Sequence, residues 1–311
     1  MFLSRTVRTI AVLAVALSGV IASGPVAAQA ERLESASDRQ LLFYNHAYGV
    51  LDRETADAIE HSAYLREFAN FEVRTTTGGG QTWTGRYLYG RETYLELFGV
   101  GDLPGRDGEF GTAAVAVSVE RAGDLEPVRQ RLRDRGIEPT PLSQTRDFGD
   151  GVPVPWFDGF FISTDYDKFG MWSMEYRPEY FADPRSQKTE PPAFPGDISR
   201  ERYQSDAYRD HLMRDVSGVR IALTRRDLDS NVPLLSAGGF HVRSVPGGVV
   251  ATRGGTTIRL DAVPVEEVGL KRVELALNRP VPRRHVEQIG QSTLVVGPGA
   301  KAVWTFNAPT G

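Results

Sequence analysis

Apolar and polar positions alternate with period two over many short runs of this chain, and an order of strand, helix and three strands recurs. LLFYNHAYGVLD (41–52) reads as the first strand, with Leu42, Tyr44, His46 and Tyr48 on one face. Residues 53–68 carry helix formers with apolar Ala56, Ile59, Ala63 and Phe68, and Asp52 stands at the N-cap. Strands follow at 70–77, 81–90 and 92–98, separated by a glycine turn at 78–80 and by Gly90. The order then repeats with a strand at 111–120 and a helix at 123–136. That helix has Asp124 as cap, Leu125, Val128 and Leu132 as its stripe and Gly136 as its stop. Strands at 137–147, 155–164 and 171–178 complete the second copy. A third copy runs from GVRIALT (218–224) through a helix at 227–237, capped by Asp227, to strands at 240–245, 248–254 and 256–263. Strands at 270–278, 292–298 and 301–307 make a shortened fourth copy with little room for a helix.

Each copy alone leaves an apolar sheet face uncovered, so the copies must pair, and the pattern predicts an α+β fold. Between the second and third copies, 181–215 is charged and proline-rich (TEPPAFPGD), and SRERYQSDAYRDHLMRDV (199–216) suggests a helix. This segment is either a linker or an arm packed across the surface, and a domain boundary is expected inside it. The expected domains are 31–180 and 216–311.

The first residues change the picture of the compartment. Arg5 and Arg8 precede an apolar run from Ile10 to Ile21, and a small-residue stretch ends Ala28-Gln29-Ala30. That is the pattern of a secretory signal peptide over 1–30, and it predicts a secreted or extracytoplasmic protein cleaved near Ala30. Its loss moves the formal charge from −4 to −6, and without a basic run nucleic acid is not an expected partner. No other segment is apolar enough to span a membrane, and the pattern says nothing of oligomeric state. Cysteine is absent, which removes thiol nucleophiles and thiolate metal sites and leaves His, Asp and Glu as ligands.

Candidate chemistry begins at ETYLELFGVGD (92–102), where Glu96 lies between Tyr94 and Phe98 on one strand face. An ionised acid among aromatic neighbours needs compensation. Either a buried ion pair with Arg86 or Arg91 supplies it, or a functional partner does. His46, between Tyr44 and Tyr48, is either a satisfied core histidine or a ligand. Glu175 shares its face with Arg177 and is either paired with it or functional. His61 and His241 read as surface residues, His211 falls in the arm and His285 in a loop. Trp83, Tyr87, Tyr89, Trp156, Phe160 and Trp172 lie in strands; most read as core, and those on the Glu96 face would wall an apolar pocket.

FYNHAYGVLD, TYLELFGVGD, MWSMEYRP and AGDLEPVRQRLRDRGIEP resemble segments of the vicinal oxygen chelate superfamily, which includes glyoxalase I, extradiol dioxygenases and bleomycin-resistance proteins. The whole chain beyond residue 30 is similar to an uncharacterised bacterial family of glyoxalase-like proteins. The resemblance covers 41–178 well and 218–307 by strand order. It implies tandem βαβββ units forming curled mixed sheets around a cup, with a degenerate second pair at the C-terminus. It also implies a divalent metal (Zn, Fe, Mn or Ni) held by His46, Glu96 and Glu175, with Glu96 and Glu175 catalytic. The fourth ligand position falls at Ala113 or Ala114, so the implied site has three protein ligands and open positions. Tyr44, Tyr48, Tyr94 and Phe98 would form the substrate pocket.

Three functions follow from this reading. The first is a metal-dependent isomerase, lyase or dioxygenase acting on a small substrate with vicinal oxygens. The second is a metal-free small-molecule binder of the bleomycin-resistance type, and the third is an interaction protein of the cell envelope.

Overall fold

The computed structural model describes residues 39–306 apart from 79 and 254, so the signal-peptide segment lies outside the described residues. The first pair of units contributes β1 (Phe43–Leu51), α1 (Arg53–His61), α2 (Ala63–Phe68), β2 (Asn70–Gly78), β3 (Gln81–Tyr89) and β4 (Tyr94–Gly99), then β5 (Ala113–Ser118), α3 (Leu125–Arg133), β6 (Thr140–Arg146), β7 (Val154–Phe161) and β8 (Phe169–Tyr176). The expected helix over 53–68 is two helices, because Ser62 leaves helical geometry and caps the second through Leu65 N. Asp52 caps the first as expected, its carboxylate accepting from Thr55 N at 2.8 Å.

These eight strands form one mixed sheet in the order β2-β3-β4-β1-β5-β8-β7-β6. β1 runs parallel to β4 and antiparallel to β5, and β5 runs parallel to β8, so the two βαβββ units meet at the central β1/β5 pair. The sheet curls until its ends approach, and Thr77 beyond the middle of β2 bridges to Asp147 just past β6. β5 is buried at every position, as an Ala/Val-rich central strand covered on both faces must be.

The remaining elements are α4 (Pro178–Ala182), α5 (Arg200–Tyr203), β9 (Met213–Leu223), α6 (Arg225–Ala237), β10 (His241–Val245), β11 (Gly248–Thr252), β12 (Thr257–Ala262), β13 (Gly269–Val281), β14 (His285–Ile289), β15 (Ser292–Val296) and β16 (Gly299–Phe306). The second sheet is ordered β10-β11-β12-β9-β13-β16-β15-β14, the same strand order as the first; its last unit has no helix between β13 and β14, so β16 runs antiparallel to β13 where β8 runs parallel to β5. His285 stands on β14 rather than in a loop; the strand is short and mostly exposed, which leaves no apolar alternation to read.

The second sheet packs on the outer side of the first. Gly49 alternates with cavity-facing Tyr48, and a Cβ there would come within 2.8 Å of Leu270 Cβ on β13, so only glycine permits this approach. Two carboxylates, buried Asp227 and half-buried Asp215, fasten the contact. Asp227 accepts from Asp167 N, Lys168 N and Phe169 N at 2.9–3.0 Å. Asp215 accepts from Glu92 N, Thr93 N and Thr93 Oγ1. The N-cap of α6 is therefore Thr224, whose hydroxyl accepts from Asp227 N, and Asp227 itself serves the junction.

No domain boundary falls in 181–215, and from Gln40 onward the chain is one compact unit. The segment is an arm whose Tyr180, Phe181, Ile198 and Tyr203 join the core. Buried Arg200 donates to Tyr44 O and pairs with Glu92 and Glu120. The prolines interrupt periodicity without making the segment loose, because its aromatic side chains fill the sheet's curl.

Candidate functional site

Inside the curl of the first sheet lies a cavity of about 370 Å³. Cavities of this size are typical of small-molecule sites. Alternation decides what faces it: His46 and Tyr48 from β1, Tyr94, Glu96 and Phe98 from β4, Ala114 from β5, and Gly170, Trp172 and Met174 from β8. Trp83, Trp156, Phe157 and Phe161 add further rings, and Leu103, Asp107 and Tyr166 come from the loops after β4 and β7. Among the described residues, no Lys or Arg lines it.

Glu96 and His46 stand together, with Oε2 and Nε2 4.0 Å apart. His46 is locked on both sides of its ring. Tyr94 stacks on it with centroids 4.3 Å apart, and Trp172 meets it edge-on at 5.4 Å. Asn45 donates through Nδ2 to Ser118 Oγ and Tyr176 Oη, which turns its oxygen to His46 Nδ1 at 2.9 Å. Nδ1 therefore carries the proton, and Nε2 faces Glu96 as an acceptor. Burial pushes the imidazole down to about 3 and raises the Glu96 carboxyl to about 7, the latter opposed by Arg74. Neither arginine weighed from the sequence pairs with Glu96. Arg86 bonds Glu60 and Asp102, and Arg91 bonds Glu201.

Glu175 is not part of this site. On β8 the cavity face carries Trp172 and Met174, so Glu175, one residue on, points to the opposite face. There its carboxylate accepts from Gly123 N at 3.0 Å and Leu125 N at 3.2 Å, holding the start of α3. It thus performs the capping expected of Asp124, which makes no capping hydrogen bond to the helix. Arg177 pairs instead with Asp158 and Glu179. Tyr44 is also outside the cavity. Asn45 is an extra residue in β1: Tyr44 pairs with Val117 while His46 pairs with Ala116, which breaks the alternation between them.

The implied divalent metal does not fit the residues present. His46 and Glu96 offer two donors, and among the described residues no group of three or more His, Asp or Glu side chains is placed to hold an ion. The third ligand, Glu175, is implied by the resemblance alone, and the register of β8 turns Met174, the residue before it, to the cavity instead.

Asp107 and Tyr166 carried no sequence signal, since both lie on aperiodic loops. The Tyr166 hydroxyl donates to Asp107 Oδ1 at 2.6 Å, joining the two loops at the cavity. Of the six strand aromatics weighed from the sequence, Trp83, Trp156 and Trp172 line the cavity, and Tyr87, Tyr89 and Phe160 do not.

A family model described as a family of unknown function (DUF5829) matches residues 44–306. No curated protein matches. A hypothetical protein from Staphylococcus aureus is similar in fold, with a TM-score of 0.51 at 11% identity, over 83% of this chain and 99% of that one. The Mn(II)-bound glyoxalase from Novosphingobium aromaticivorans aligns with a TM-score of 0.37 at 11% identity, over 84% of this chain and 81% of its own. The 2,3-dioxygenase LapB from Pseudomonas sp. KL28 aligns with a TM-score of 0.40 at 12% identity, over 85% and 91%.

Proposed function

We propose that this chain, which belongs to the family of unknown function DUF5829, is an exported small-molecule-binding protein that works without a resident metal. The cavity carries this reading. It is ring-walled and large enough for a small organic ligand, and its two buried titratable groups make no three-donor metal site. Export rests on Arg5, Arg8, the apolar run and Ala28-Gln29-Ala30. Metal analysis of the purified protein, paired with ligand titration followed by Trp83, Trp156 and Trp172 fluorescence, tests it. The expected result is ligand quenching by a protein with substoichiometric metal. Stoichiometric divalent metal, whose removal abolishes ligand binding, would overturn it.

One observation supports a second, catalytic reading of the same cavity. A carboxyl held near 7 beside an unprotonated ring nitrogen is suited to moving a proton on a bound ligand, as in isomerisation or epimerisation. Turnover that vanishes in Glu96→Gln while ligand binding persists is the signature of that reading.

A further inference from the structure

The cavity's charge is one-sided. Among the described residues no group donates a hydrogen bond to Glu96: neutral His46 faces it with a lone pair at 4.0 Å, and Arg74 acts on it only through its field. Asp107, on the loop after β4, accepts from the Tyr166 hydroxyl and forms no ion pair among the described residues. Tyr48 stands between these two carboxylates and feels both. Of the guanidinium groups around the cavity, Arg74 lies over the Tyr87 ring and bonds Glu72, and Arg106 lies over the Tyr166 ring and acts on that tyrosine, forming no ion pair with Asp107 among the described residues. Neither lines the cavity.

Two carboxylates without a cationic partner, inside walls of tryptophan, tyrosine and phenylalanine, make a chemical complement to one ligand type. Ring faces carry negative potential and attract a cation, more strongly as water is excluded. The carboxylates add direct Coulombic attraction in a medium less polarisable than water. An anionic ligand would meet the same groups as repulsion. Its carboxylate or phosphate would find no Lys or Arg among the lining residues to replace its lost hydration.

We propose that the ligand of this cavity is a small organic cation, an amine or quaternary ammonium compound carrying apolar bulk. This rests on the reading of the cavity as a small-molecule site and names its ligand class. The ammonium end would lie toward Glu96 and Tyr48, with the apolar part against Trp83, Trp156 and Trp172.

The test compares three probes of similar size and different charge on the full processed chain: benzyltrimethylammonium, benzyl alcohol and benzoate. Calorimetric titration and tryptophan quenching are run for each at one ionic strength above pH 7. The cation is expected to bind at least about tenfold more tightly than the alcohol, with benzoate weakest. Glu96→Gln and Asp107→Asn should each reduce that preference several-fold, with circular dichroism showing the fold retained. Alcohol or benzoate binding as tightly as the cation would overturn the charge assignment and leave the small-molecule reading standing. Cation binding unaffected by both variants would also overturn it, because the ligand would then sit elsewhere. Failure of all three probes to bind would remove both readings together.

Discussion

Replacing Glu96 with Gln should stabilise the protein above neutral pH and leave it nearly unchanged in acid. The fold places this carboxyl among rings with no hydrogen-bond donor, and burial raises it from the usual 4.5 to about 7. A proton is therefore bound more tightly in the folded chain than in the unfolded one. The favourable contribution is complete below 4.5, is lost as pH rises from 4.5 to about 7, and is absent above. The shift corresponds to about 3 kcal/mol, which is a cost the ionised folded protein carries at pH 8. Neutral Gln does not titrate, so the stability difference between variant and parent should climb by ~3 kcal/mol across that window. The difference is the proper quantity, because His46 contributes in the opposite sense. Its folded value of about 3 lies below the usual 6.5, so its contribution is lost as pH falls through that interval. Urea unfolding of both proteins at several pH values between 4.5 and 8, followed by fluorescence, gives the measurement. A difference flat in pH, or a variant less stable than the parent at pH 8, would refute the placement of an uncompensated carboxyl at this position.

Other consequences follow from the junction, the arm and the leader. Asp227→Ala leaves three backbone N–H groups, the Phe169 one buried and two half-buried, without their acceptor. It should cost about 3–5 kcal/mol in urea unfolding, and a loss under ~1 kcal/mol would show that the carboxylate does not fasten the two sheets. Tyr203→Ala removes a buried ring stacked on Tyr176 at 4.1 Å and should cost about 3–5 kcal/mol. Limited proteolysis should cut within 178–204 faster in this variant than in the parent; equal rates would contradict an arm held by its aromatic side chains. N-terminal sequencing of the exported protein should begin at Glu31, and a mature chain retaining residues 1–30 would contradict processing near Ala30.

The fold was legible because three units repeat the same order of runs and a fourth repeats part of it, and strand periodicity survives wherever one face is apolar. Glu96 was legible for the same reason: a carboxylate flanked at i−2 and i+2 by Tyr94 and Phe98 breaks the usual separation of charge from rings. What periodicity cannot supply is phase. Glu175 and Met174 differ by one position, and only the register of β8 against β7, with Glu175 opposite Asp158 and Met174 opposite Gly159, decides which faces the cup. The extra residue Asn45 has the same effect on Tyr44, since its presence depends on the pairing partner across β1 and β5. Asp227 and Asp124 read as caps because acidic residues before apolar stripes usually are, yet each helix start took a different acceptor. Asp107 and Tyr166 meet because their loops lead into β5 and β8, distant in sequence but paired in parallel from Ala113 and Phe169.

The position expected to carry a fourth ligand explains why there is a cavity at all. Of Ala113 and Ala114, it is Ala114 that faces inward, opposite Tyr48 on β1 and beside Gly170 on β8. Two neighbouring strands thus present a methyl group and a hydrogen atom at the level where His46, Tyr48 and Glu96 project from the other unit. A His or Glu at 114 would project into the space enclosed by Tyr48, Phe98 and Trp172. The small residues keep that space open, while the rings around it remain in the edge-on and tilted contacts seen between Tyr48, Phe98 and Trp172. A pair of units that supplies donors from one half and empty volume from the other is built asymmetrically. That asymmetry suits the enclosure of a ligand against Glu96 better than the symmetric chelation of an ion.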